Sequence, residues 1–140
     1  MVTFNKFNCF VEDLAKGVHN LATNAITVAL CATVNAPVAT NTVLANLTQI
    51  AYTNLSARVV TISSVAQTSG TLKVVATDLV LTASGGAVAS FQYVVLYNDT
   101  PVAPADPLIG WYNYGTSLTL ADGDTFTIDF DATNGVLTIA

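Results

Sequence analysis

The sequence predicts an all-β fold, an antiparallel sandwich or jelly roll with a short N-terminal helix, on three observations. Short runs rich in Val, Ile, Thr, Phe and Tyr recur at intervals of about 8–12 residues, with Gly, Pro, Asn and Asp between them. From Ser90 to Asn113, two apolar-aromatic strands flank a loop holding Pro101, Pro104 and Pro107; they read as the central pair of an antiparallel sheet. Helical spacing of apolar residues is confined to one segment near the N-terminus. The chain, 1–140, is expected to form a single domain, because this length is near the modal domain size and can bury a core without disulfides or metals.

Taken in order, residues 4–18 (FNKFNCFVEDLAKGV) space Phe4, Phe7, Val11, Leu14 and Val18 by three and four, one face of a helix. The N-terminal helical segment is therefore placed within residues 1–20. Asn5 or Asn8 is positioned to cap it, and Gly17 marks its end. So short a helix is marginal alone, and its stripe must rest on the sheet or on a partner. After a polar break at Asn20–Asn24, Ala25–Thr33 (AITVALCAT) is apolar on both faces and predicts an inner strand. Residues 34–56 read as an irregular loop, with one helical turn within Val43–Ile50. A long loop is often functional and here could be an arm reaching a neighbour; an ordinary surface loop is the alternative.

Arg58–Ser64, Thr71–Ala76 and Asp78–Ala83 are short β-branched runs punctuated by Ser69-Gly70 and Ser84-Gly85-Gly86. Ser90–Tyr97 and Leu108–Asn113 follow, and Ser117–Leu120 adds a short piece. In Asp124–Phe130 (DTFTIDF), Phe126, Ile128 and Phe130 alternate with Thr125, Thr127 and Asp129. Asn134-Gly135 suits a tight hairpin, along which Val136–Ile139 would return. The total is about eight or nine strands.

Composition bears on the partners. Hydrophobic residues make up 52% and charged residues 9%, against roughly 25% charged in an ordinary soluble domain. Lys6, Lys16, Arg58 and Lys73 are the only bases. A surface built from Thr, Ser, Asn, Ala and apolar side chains suits lasting contact with other protein; a highly expressed Thr-rich β-domain is the alternative. Net charge is −5 with no basic cluster, so nucleic acid has no electrostatic footprint and an anionic membrane surface none either. No apolar run approaches the ~18 residues that span a bilayer. Glu12 and Asp13 interrupt any signal-peptide core, so synthesis in a cytoplasm without export is expected. Cys9 and Cys31 are expected to be reduced, buried thiols.

Catalysis requires titratable groups that can be brought together, and few are present. His19, the single histidine, follows the helix end, where a capping or surface role is expected. No Gly-x-Ser-x-Gly elbow, phosphate-binding loop or Cys-x-x-Cys occurs, so no enzyme, cofactor or catalytic residue is predicted. Asp129, Asp131 and Asn134 resemble a calcium loop only in part, because the closing bidentate Glu is absent. Turn chemistry explains Asp122-Gly123-Asp124 and Asn134-Gly135 without an ion, and no metal is expected. Tyr93, Tyr97, Trp111, Tyr112 and Tyr114 could line a sugar groove, although cross-strand packing or an interface role also accounts for them.

Four blocks carry a family resemblance. The opening FNKFNCFVEDLAKGVHNLATNAITVALCAT resembles the start of small tailed-phage virion structural proteins, where a short amphipathic helix and a polar break precede a strand. FQYVVLYNDT, PLIGWYNYG and DGDTFTIDFDATNGVLTIA resemble the closing blocks of the same family. The resemblance weakens between Pro37 and Lys73. It implies a bacteriophage virion protein made in the host bacterial cytoplasm and placed on the capsid surface as a cement, or decoration, protein. Its partners would be the major capsid protein and itself, as a dimer or trimer. A tail, neck or fibre-base component is the alternative, and a carbohydrate-binding β-module a further one. Candidate interface residues are Phe4, Phe7, Val11 and Leu14 on the helix. The 34–50 loop adds Val34, Pro37, Val38, Val43, Leu44, Leu47 and Ile50, and the 102–107 loop adds Val102, Pro104 and Pro107. Edge strands offer a second mode of association.

Overall fold

A computed structural model describes residues 2–140. It is an all-β sandwich of antiparallel sheets with one short helix. The strands are β1 (Phe4–Lys6), β2 (Ile26–Cys31), β3 (Val59–Val60), β4 (Ile62–Thr68), β5 (Thr71–Ala76), β6 (Leu79–Thr82), β7 (Phe91–Asn98), β8 (Leu108–Leu118), β9 (Thr125–Ile128) and β10 (Leu137–Ile139). The helix α1 spans Cys9–Ala15.

The first layer grows from β2, whose residues are all buried. It pairs with β7 from Ile26↔Asn98 to Cys31↔Tyr93, and β8 flanks β7 in a five-stranded sheet ordered β1-β8-β7-β2-β3. The two aromatic strands thus lie side by side within it, as expected. Between Leu96↔Gly110 and Tyr97↔Leu108 the register shifts, leaving Ile109 as an extra residue. That bulge lets Leu108 and Trp111 share the outer face while Ile109 and Tyr112 turn inward.

The second layer consists of β10-β5-β4 and, separately, β6-β9. Ser69 and Gly70, both at positive φ (52° and 86°), close the β4–β5 hairpin; these are the signs that a two-residue turn needs to follow strand twist. Between the layers, Val28, Leu30, Val94, Leu96 and Ile109 meet Val74, Leu81, Ile128, Phe130 and Val136. Phe91 and Phe126 join β7 to β9 edge-on, their ring centroids 5.4 Å apart.

The outer face of the five-stranded sheet is covered too. Ala29, Cys31, Val95, Tyr97 and Leu108 pack beneath Phe7, Leu44 and Leu47. The cover is the long loop read from the sequence, which holds 3-10 turns at Thr33–Asn35 and Leu44–Asn46. Asn46 Oδ1 pins the second turn by accepting from the Thr42 and Val43 amides at 2.9 and 3.1 Å.

Four expectations are corrected. The helix does not run from Phe4 to Val18, because Phe4–Lys6 pairs with Tyr112–Gly110 as β1, and a sheet edge outcompetes a marginal helical turn. Its end is as expected: Gly17 (φ 76°) follows the last turn, with Gly17 N donating to Leu14 O and Val18 N to Asp13 O. Asn8 occupies the N-cap without a side-chain bond. Val136–Ile139 does not return along β9; β10 pairs with β5 and β9 with β6. His19 is neither a cap nor a surface residue. It is 5% exposed, with Phe10 5.2 Å away between ring centroids and Nδ1 3.2 Å from Asn98 Nδ2. Cys9 is only half-buried, whereas Cys31 is buried; both are free thiols.

Candidate interaction surfaces

Two surfaces stand out, one made of loops and one a groove. The loop surface forms where the 33–47 segment meets the segment joining β7 to β8. Val43 and Pro107 form an isolated bridge, Leu44 N donates to Asp106 O, and Leu108 N donates to Thr42 O, each at 3.0 Å. At the tip of the second segment Val102 bridges to Ala105. Val102 is 89% exposed and Val34 88%, and Val38 and Pro104 are also exposed.

The candidate residues divide by burial. Val11, Val34, Val38, Val102 and Pro104 are exposed and available to a partner. Phe4, Leu14, Val43, Leu44, Leu47 and Ile50 are half-buried; Ile50 N is tied to Leu30 O at 2.9 Å. Phe7, Pro37 and Pro107 are corrected to interior residues. Phe7 lies 4.5 Å from the Trp111 ring between centroids, because its backbone N donates to Ile109 O and continues the β1 pairing. Pro37 and Pro107 are buried within the loop layer, where Pro107 O also accepts from Asn98 N.

Little ionic structure decorates this surface. Lys16 and Glu12 form the one ion pair among the described residues. The Arg58 guanidinium carbon sits 3.7 Å from the Tyr52 ring centroid, and one of its nitrogens donates to Val28 O. Lys73 donates to Thr133 O at 2.9 Å.

The groove has a volume of about 570 Å³. It opens where β1 borders the break in the second layer between β9 and β10. Val94, Tyr112, Ile128 and Val136 give it an apolar lining, with Phe4, Tyr114 and Phe126 among its walls. The rings interlock rather than present a flat platform: Phe4 meets Tyr112 tilted at 5.3 Å, and Tyr114 meets Phe126 edge-on at 5.6 Å. Burial pushes the Tyr112 phenol up to about 12, a sign of how apolar the lining is.

Asp129 and Asp131 line the same groove. Asp131 accepts from the Thr133 and Asn134 amides at 2.8 and 2.9 Å and from the Asn134 side chain. Those Asn134 bonds hold its carboxyl below the usual range. Asp124 likewise accepts from the Ala121 amide within its own turn, while Asp122 accepts from the Gly85 amide of a neighbouring loop. Of the acids weighed as calcium ligands, Asp131 is thus occupied by its turn.

The five aromatics considered for a sugar site do not converge. Tyr93, Tyr97 and Trp111 belong to the outer face, and only Tyr112 and Tyr114 reach the groove. Sequence reasoning missed the groove as a unit, since it assembles residues 2–4, 94, 112, 114, 126–129, 131, 135 and 136. Neither a family model, nor a curated protein, nor a solved structure matches the chain.

Proposed function

We propose that the protein is a structural subunit of a tailed-phage virion and, within it, a capsid cement protein on the outer surface of the major capsid protein shell. The observation that carries this reading is the exposure of two loop hydrophobics, Val34 and Val102, each projecting almost free of its own chain. The four sequence blocks that resemble small virion proteins support it from a second direction.

The energetics suit such a role. A contact of standard size removes about 800 Å² from each partner. At about 25 cal/mol per Å² its apolar part is substantial, although ordering side chains and losing free tumbling offset much of it. Uncharged Val, Thr and Ala faces avoid the desolvation that buried charge imposes. A shell offers the same joint many times, so modest contacts together resist internal DNA pressure.

The test is to count this protein in purified virions and to mix it with shells lacking it. The reading expects copies on the order of hundreds and saturable binding to shells; about a dozen or fewer would point to a ring-shaped tail component. Val34→Asp and Val102→Asp should abolish shell binding while leaving the isolated chain within about 0.5 kcal/mol of its parent, as exposed substitutions do. Binding unaffected by both substitutions would rule the loop surface out.

A further inference from the structure

We infer that the groove beside β1 is a docking site for an extended segment of a partner protein, apolar at alternate positions and basic between them. The inference stands on the groove alone and does not depend on the virion reading.

Two strands that border the groove each have, among the described residues, one edge lacking a strand neighbour. β1 pairs only with β8 and β9 only with β6. Consecutive residues, Val2-Thr3-Phe4 on one side and Thr127-Ile128-Asp129 on another, line the same cavity. Phe126, Thr127 and Ile128 belong to β9 and Phe4 opens β1. Neighbouring side chains of a strand point to opposite faces, so on the β9 side it is the strand edge that borders the space. An entering strand would find unpaired backbone donors and acceptors there, and apolar room for every second side chain.

The occupant's chemistry follows from the lining. Aliphatic Val94, Ile128 and Val136 and the interlocked rings accept methyl and methylene groups, whereas a sugar requires a flat aromatic face and several polar partners. Asp129 and Asp131 bring carboxylates; among the described residues no basic side chain lines the groove, and the nearby Lys73 amine is tied to Thr133 O at 2.9 Å. The chain as a whole carries −5. Lysine or arginine at the alternate, outward positions would meet that charge, while a second copy of this acidic chain would add to it.

The probe is a fluorescein-labelled peptide of alternating lysine and valine, titrated with the intact protein and followed by anisotropy, with amide shifts mapped by NMR. Saturable binding that shifts the Thr3, Thr127 and Gly135 amides supports the inference. Two controls should bind at least about tenfold more weakly: lysine alternating with serine, which lacks the apolar anchors, and glutamate alternating with valine, which reverses the charge. Asp129→Lys, an exposed substitution between the buried Ile128 and Phe130, should weaken the lysine–valine peptide about fivefold. Thr127→Trp, which fills the mouth, should weaken it further with little change in unfolding midpoint. The inference is overturned by any of four results: no saturable binding up to about 1 mM, equal binding of the lysine–serine peptide, displacement of the peptide by neutral oligosaccharides, or self-association of the free chain through the same amides.

Discussion

Gly110→Ala is the sharpest perturbation of the frame. A methyl group at this position would fall inside the Phe4 ring, against Cζ and Cε2, and 2.7 Å from Asn5 O. The ring is held on its other side by Tyr112, and the Asn5 carbonyl belongs to the β1–β8 pairing. Neither neighbour yields cheaply: the ring must leave its half-buried seat, or the strand must move off β8. Overpacking of this kind costs about 1–3 kcal/mol. Because both a ring and a backbone oxygen obstruct the methyl, we expect the upper part of that range, a fall of about 6–10 °C in Tm for a chain of this size. Urea unfolding monitored by circular dichroism measures it, and amide exchange should accelerate in β1 before elsewhere. Phe4→Ala then separates the two obstacles. In that background Gly110→Ala should cost at least about 1 kcal/mol less, since only the carbonyl remains. A cost within about 0.5 kcal/mol of zero, or one unchanged by removing the ring, would refute the account of why this position is glycine.

Other expectations concern single groups. Burial holds the His19 pKa below its ordinary value, with Asp13 acting the opposite way. The unfolded chain therefore takes up this proton first as pH falls. Stability from His19 is complete above about pH 6.5 and is lost as pH drops through the lowered folded value; His19→Gln should flatten that part of the urea-midpoint profile, and a flat parent profile would contradict it. At Gly70, φ is 86° and a Cβ would meet open space. Gly70→Ala should thus cost about 1 kcal/mol from backbone strain alone, and a stabilised variant would count against the assigned turn. Burial raises the Cys31 thiol to about 11, so iodoacetamide should label Cys9 first and reach Cys31 only on unfolding, as peptide mass spectrometry would show.

The legible parts of the fold were those whose signal is local. β2 and β7 are continuous apolar runs, and Ser69-Gly70 and Gly17 mark the β4–β5 turn and the end of α1 by backbone chemistry. Tertiary competition defeated the rest. Phe4 and Phe7 fit a helical stripe with Val11 and Leu14, yet Phe4 is worth more against Tyr112 and Phe7 more against Trp111. Asn134-Gly135 has hairpin chemistry, but Val136 N finds Val74 O at 2.8 Å in the other half of the layer. Of the site, the exposed Val34 and Val102 were visible as loop hydrophobics. Pro37 and Pro107 looked the same in sequence, and only the closure of one loop upon the other buried them. The groove was not legible as a whole, because the N-terminal residues 2–4, Val94, Tyr112, Tyr114 and the stretch after Phe126 are brought together only by the fold.

The placement of the cations gives the molecule an unusual proteolytic map. Trypsin cuts after lysine and arginine, and beyond Lys73 the chain offers it nothing as far as Ala140. Arg58 is shielded in the native state: its side chain is engaged by Tyr52 and Val28, and its carbonyl accepts from Val28 N at 2.9 Å. Cleavage there demands that the β3 margin peel away from β2. The rate at which a tryptic fragment beginning at Val59 accumulates is thus a clock for the opening of that margin, readable on a gel without any label.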